Sequence, residues 1–124
     1  MWLADSNILI RAASAPDHPL QEWLQNQLPA ISIVTRIEVL GFHRLRPDED
    51  MLLRVLLAAF DEYPIGSETA ALAIDLRRQR KISLGNALIA ATCLEHGLKL
   101  ATLNTSDFEW IAGLTLDALP DFAA

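Results

Sequence analysis

Cysteine is nearly absent: the 124-residue chain holds one, Cys93, so no disulfide within the chain can staple it. Glycine is scarce as well, with five residues, and no linker, repeat or low-complexity stretch interrupts the chain. Long apolar runs are missing. The richest, "MLLRVLLAAF" at residues 51–60, is broken by Arg54 and is too short to cross a bilayer. A secretory leader would carry positive charge near its start, where this chain has Asp5. Cys93 sits in an apolar stretch, which fits a buried thiol in a reducing compartment. The expected location is therefore the cytoplasm, with no membrane partner. Basic residues are also few: Lys and Arg total 10 against 16 Asp and Glu, a formal charge of −6. That balance excludes a protein that grips nucleic acid by bulk positive charge. It leaves open one in which metal ions bridge carboxylates to phosphates.

What is present is core. Hydrophobic residues make up 52% of the chain and charged residues 21%, the composition of a globular protein, and the length suits one domain over residues 1–124. "MWLAD" is a short apolar run ending in an acid, and "SNILIRAAS" comes next with helical spacing at Ile8, Leu9 and Ala12. The chain turns around "SAPDHP", and "LQEWLQNQL" is a second helical stretch. "PAISIV" is rich in branched residues and predicts a buried strand. "TRIEVLGFHRL" and "DEDMLLRVLLAAFDEY" predict helices, the second with Pro47 near its first turn. "PIGS" predicts a short strand and a cap, and "SETAALAIDLRRQRK" an amphipathic helix. "LGNALIAATCLEH" predicts a helix stopped by Gly97. The strand "LKLAT", the loop "LNTSDF", the turn "EWIAG" and a last strand "LTLDAL" complete the chain. Alternating strands and helices predict an α/β fold with a central parallel sheet of about five short strands, covered by helices on both faces.

In such a sheet, ligands bind beyond the carboxyl ends of the strands, near the point where strand order reverses. Asp5 ends the first strand, and Glu38 lies on the first turn of the helix after the second. Asn86 opens the helix that leads into the fourth strand, and Asp107 comes after that strand. Oxygen-only sets of this kind suit hard cations such as Mg²⁺ or Mn²⁺. Each residue also has a local explanation. Thr35 to Glu38 has the form of a capping box, Asp5 can cap the helix after it and Asp107 the turn after it, and Asn86 can serve the entry of its helix. Position in the fold is what links the four.

"LADSNILI" resembles the opening of PIN-domain proteins, in which an apolar strand ends in Asp, a small hydroxyl residue and Asn. "VTRIEVLGF" is similar to their second acidic motif, with Glu38 in the carboxylate position. "LGNALIAATCLEHGLKLATLNTSDF" resembles the third and fourth motifs along its whole length. Size and spacing resemble the VapC-type toxins of bacterial toxin–antitoxin pairs. The resemblance implies a metal-dependent ribonuclease with an RNA substrate, usually a homodimer, held inactive by a cognate antitoxin. It implies catalytic positions at Asp5, Glu38, Asn86 and Asp107. Two departures stand out: Asn86 occupies a position where the family has Asp, and Leu103 one where a basic residue is common. An amide offers a metal one neutral oxygen in place of a charged carboxylate.

On this basis Asp5 and Asp107 are the expected main metal ligands, and Glu38 a ligand through water or the residue that orients the attacking water. Ser6, Asn7 and Asn104 are the candidates for fixing carboxylate geometry. The basic run "RRQRK" offers Arg77, Arg78, Arg80 and Lys81 to RNA, although cations at a helix C-terminus are also favoured by the helix dipole. His18 falls in a turn, His43 near a helix end and His96 at a helix C-terminus, and none forms a nucleophile–base arrangement. Trp23 and Trp110 read as packing residues. The rival from a different class is a catalytically silent PIN domain that binds RNA or protein without cutting, and Asn86 is its evidence. A phosphoacceptor receiver domain would need an acceptor Asp on a central strand and a Lys ending the last strand; "YPIGS" and "LTLDAL" supply neither.

Overall fold

The computed structural model describes residues 1–15, 19–116 and 119. The apolar run "WLA" forms β1, Trp2–Ala4, and Asp5 stops it by accepting the Ser6 amide, which starts α1 at Ser6–Ser14. The chain continues through α2 (Pro19–Gln27), β2 (Ile31–Ser32) and α3 (Ile33–Leu40). Next come α4 (Pro47–Ala58), β3 (Glu62–Tyr63) and α5 (Ser67–Gln79). The order closes on α6 (Leu84–His96), β4 (Lys99–Ala101) and a 3₁₀ turn over Thr105–Asp107. The Ser83 hydroxyl accepts the Asn86 amide at the mouth of α6, and Gly97 ends it in the left-handed region at φ 66°.

All strand pairings are parallel. β1 pairs with β4, with Leu3 opposite Leu100, and β2 pairs with β3. A bridge from Leu3 to Ala30 joins the two ladders, and one from Leu100 to Leu116 extends the far side. Across the sheet the order is therefore β3, β2, β1, β4, Leu116. The chain steps outward from β1 to β3, then returns to the opposite side of β1. Strand order reverses between β1 and β4, where a parallel sheet opens a crevice.

Successive strand residues face opposite ways. Leu3 and Leu100 pack with Leu76 of α5 and with Ile89, Ala90 and Cys93 of α6. Ala4 and Ala101 pack with Ile8, Leu20, Val39 and Leu53, drawn from α1, α2, α3 and α4. Both faces are covered, as the α/β class requires.

The strands are shorter than the sequence pattern suggests. "PAISIV" gives only Ile31–Ser32, because the Ser32 hydroxyl accepts the Val34 amide at 3.1 Å and starts α3 early. Thr35 is thus inside the helix, its buried hydroxyl without a partner among the described residues, and the capping-box alternative for Glu38 fails. Glu38 lies on the second turn of α3 rather than the first. The third strand precedes "PIGS", since Pro64 has no amide to give a ladder. The expected fifth strand is a single bridge at Leu116 among the described residues, and its residues 117–118 lie outside them. The middle of the "SAPDHP" turn, with His18, also lies outside the described residues. Among those described, no helix is long and apolar enough to cross a membrane.

Candidate active site

Asp5 occupies the reversal point. Its amide donates to the Ala101 carbonyl at 2.9 Å, which ties the end of β1 to the end of β4. Its carboxylate accepts the Ser6 amide at 2.8 Å and the Thr102 hydroxyl at 2.7 Å, and the residue is 5% exposed. Burial pushes the Asp5 carboxyl above the usual aspartate range, against the pull of those two hydrogen bonds. The charges of Glu38 and Asp107 push it the same way as burial does.

Thr102, absent from the sequence-based site, is the hub behind Asp5. Its hydroxyl donates to Asp5 and accepts from the Asn7 side chain at 3.3 Å and the Asn104 amide at 3.1 Å. One donor and two acceptor positions are all in use. Asn7 also accepts the Leu103 amide at 3.4 Å, so the start of α1 is laced to the segment after β4.

Glu38 reaches the site from α3. The Ser6 hydroxyl donates to its Oε1 at 2.6 Å. Its Oε2 lies over Gly85, where an added Cβ would come within 2.6 Å of it. Glycine at the first turn of α6 therefore leaves the carboxylate its seat. Asp107, at the end of the 3₁₀ turn, is exposed and held by amides. Its Oδ2 accepts the Asn104 side chain at 2.6 Å and the Asn86 side chain at 3.5 Å.

Asp5, Ser6, Asn7, Glu38, Asn86, Asn104 and Asp107 together line one cleft of about 420 Å³, whose lining also includes Ile10, Gly41, Phe42 and His43. Every residue expected to ligate a metal or fix a ligand is in it. His43, read in the sequence only as a helix-end residue, is also in its wall. Of the basic run, Arg77 and Arg78 fall in the last turn of α5, outside this lining, whereas Arg80 and Lys81 line an adjoining pocket. His96 lies against Tyr63 and Glu95, outside the cleft lining. Trp23 stacks edge-on with Trp2 at 5.5 Å, a packing role as expected.

The donor set decides what ion the cleft suits. Among the described residues, no group of three or more His, Cys, Asp and Glu side chains is arranged to hold a metal by itself. The cleft instead offers spaced carboxylates and amides. That set fits a small hard cation that keeps several of its own waters and takes one or two carboxylates directly. Burial is the main cause of the raised Asp5 carboxyl, and the smaller repulsion from Glu38 and Asp107 that adds to it is what such a cation would relieve. Soft chemistry has no part here, because Cys93 is buried in α6 with its thiol pushed up to about 12 by burial and by the Asp5 charge.

The pattern of the PIN domain family matches residues 3–114. This chain belongs to the PIN-domain family. Ribonuclease VapC10 of Mycobacterium tuberculosis is 35% identical to it, spanning 87% of this chain and 86% of the relative. Among solved structures, a toxin–antitoxin complex from Klebsiella pneumoniae superposes with a TM-score of 0.77 at 32% identity, covering 93% of this chain and 96% of that one. VapBC2 from Rickettsia felis, bound to a DNA fragment from its promoter, superposes at 0.82 with 18% identity, covering 96% and 98%, and so shares the PIN fold.

Proposed function

We propose that this PIN-domain chain, one domain over residues 1–124, is a VapC-type toxin: an Mg²⁺- or Mn²⁺-dependent endoribonuclease neutralised by a cognate antitoxin. The observation that carries this reading is the meeting of Asp5, Glu38, Asn86 and Asp107 in one cleft at the strand reversal. The ribonuclease relative and the toxin–antitoxin complex from Klebsiella pneumoniae support it. Action in the cytoplasm as a homodimer completes the proposal.

In the mechanism, Asp5 and Asp107 would hold the ion directly, and Glu38 would hold it through water or orient the attacking water. When bound, the ion would supply Lewis acidity toward water and phosphate oxygen. The Ser6 hydroxyl fixes Glu38, Thr102 fixes Asp5, and the Asn104 amide fixes Asp107. Ser6 and Thr102 each take one acceptor position on the Asp5 carboxylate, which leaves a lone pair on each oxygen for the cleft that Asp5 lines. Asn86 brings an amide where a fourth carboxylate would add charge, so the site with this residue binds an ion weakly and cuts slowly. The second reading, a silent RNA- or protein-binding module, is favoured by that same amide.

Cleavage by the parent chain separates the two, and Asn86→Asp tests the residue on which they differ. Asn and Asp are nearly isosteric, so the fold should persist while the site gains a ligand. Cleavage of a structured RNA with Mg²⁺ or Mn²⁺ should rise by roughly 10²-fold or more. Added metal should raise the melting temperature further in the Asp form than in the Asn form. Equal cleavage and equal metal-induced shifts would make Asn86 a helix-entry residue, whereas no cleavage by either protein with either metal would leave the silent module standing.

A further inference from the structure

Beside the cleft lies a second pocket of about 290 Å³, lined by Arg80, Lys81, Ile82, Ser83, Ser106 and Trp110, and sharing Asn86 and Asp107 with the first. It has an acidic end at the shared edge and a basic end away from it. In a chain of formal charge −6, two adjacent cations facing one concavity are a local reversal of sign. Arg80 has already left the helix, with extended φ and ψ of −165° and 166°, so it is not part of the cationic last turn of α5. Its guanidinium sits 5.3 Å above the Trp110 ring. The Trp110 indole in turn donates to the Asp107 carbonyl at 2.9 Å. Arg80 is thus placed through Trp110 against the residue that borders the cleft. The α6 N-terminus, with its positive dipole end, opens beside Lys81 and Ser83.

We propose that this pocket is a phosphate subsite for single-stranded RNA, taking a phosphate next to the one in the cleft and so setting which bond is presented there. Arg80 and Lys81 pair with the phosphate, while the Ser83 hydroxyl, which accepts the Asn86 amide, has its hydrogen to donate to it. Arg77 and Arg78, on the helical turn before, serve α5 and not RNA. The inference rests on the nuclease reading of the cleft for its meaning, but its test does not need cleavage.

The probe is a fluorescein-labelled hexauridylate, titrated in EDTA over a range of salt and followed by anisotropy. The Arg80→Gln/Lys81→Gln pair should lose about tenfold in affinity, with the slope of log K against log salt falling by one to two, as expected for about two lost phosphate contacts. The Arg77→Gln/Arg78→Gln pair removes the same charge one turn earlier and should stay within about twofold of the parent. All four side chains are exposed, and matching melting temperatures confirm that both double variants fold. Equal losses in the two pairs would mean diffuse steering and overturn the subsite, as would no loss in the first pair. Absence of cleavage with any metal would defeat the nuclease reading while leaving this binding result intact, so the two failures are distinguishable.

Discussion

The cleft has two unlike walls. On the β1 side, Asp5 is 5% exposed, tied to β4 through its backbone and to Thr102 through its side chain. On the opposite side, Asp107 is exposed on a 3₁₀ turn and is positioned by amides from Asn104 and Asn86. In sequence both are single acids after a short apolar strand. In the fold, one carries a desolvated charge that the surrounding structure has to hold in place, and the other keeps its water. Fold and chemistry are thus entangled at Asp5 and separable at Asp107.

Paired alanine variants break this comparison most directly. In the Asn86→Asp background, Asp5→Ala and Asp107→Ala should each cut RNA about 10³-fold more slowly. Only Asp5→Ala should also destabilise the fold, by about 1–2 kcal/mol, because it removes the cap of α1 and strands the Thr102 hydroxyl. Equal melting temperatures for the two variants would show the walls to be alike after all.

Gly85→Ala gives a smaller effect and tests the wall between them. Alanine in a helix is favoured over glycine by roughly 0.5–1 kcal/mol, and the atom it meets is the movable end of Glu38. The variant should melt no lower than the parent, yet lose roughly 10²-fold in cleavage as Glu38 leaves its seat on Ser6. Unchanged cleavage would remove Glu38 from the chemistry.

The smallest effect is a shift with pH, measured without metal. The Asp5 carboxyl is raised in the folded state, so its stabilising contribution is complete below the ordinary aspartate range and is lost as pH rises through the raised value. Asp5→Asn keeps a capping side chain and has no such titration. Its melting temperature should therefore gain on the parent by a few degrees between acid and neutral pH. A constant difference across that range would mean that burial of the Asp5 charge costs nothing.

How much of the molecule is legible in its sequence depends on locality. Asp5, Asn86 and Asp107 are legible because each marks an end: of a strand, of a helix entry, of a loop. The α/β class is legible from alternation alone. Glu38 is marked by its motif, but the pattern places it a turn too early, since Ser32 and Thr35 are both fair caps and only packing selects Ser32. Thr102 and Gly85 are invisible for a different reason. Their roles exist only opposite residues far away in the chain: Thr102 is 97 positions from Asp5, and Gly85 sits under Glu38. The pattern overestimates strand length because branched residues mark burial, and in so small a sheet two or three residues suffice to cross it.

The pairing of the first strand with the fourth also has a bearing on synthesis. Asp5 leaves the ribosome early, but its partners Ala101, Thr102 and Asp107 come after most of the chain has been translated. Contacts of such wide sequence separation form late in folding. Until Thr102 and Asp107 have been added, Asp5 and Glu38 therefore stand without the segment that completes their cleft, and the site is assembled from its two ends inward rather than in chain order.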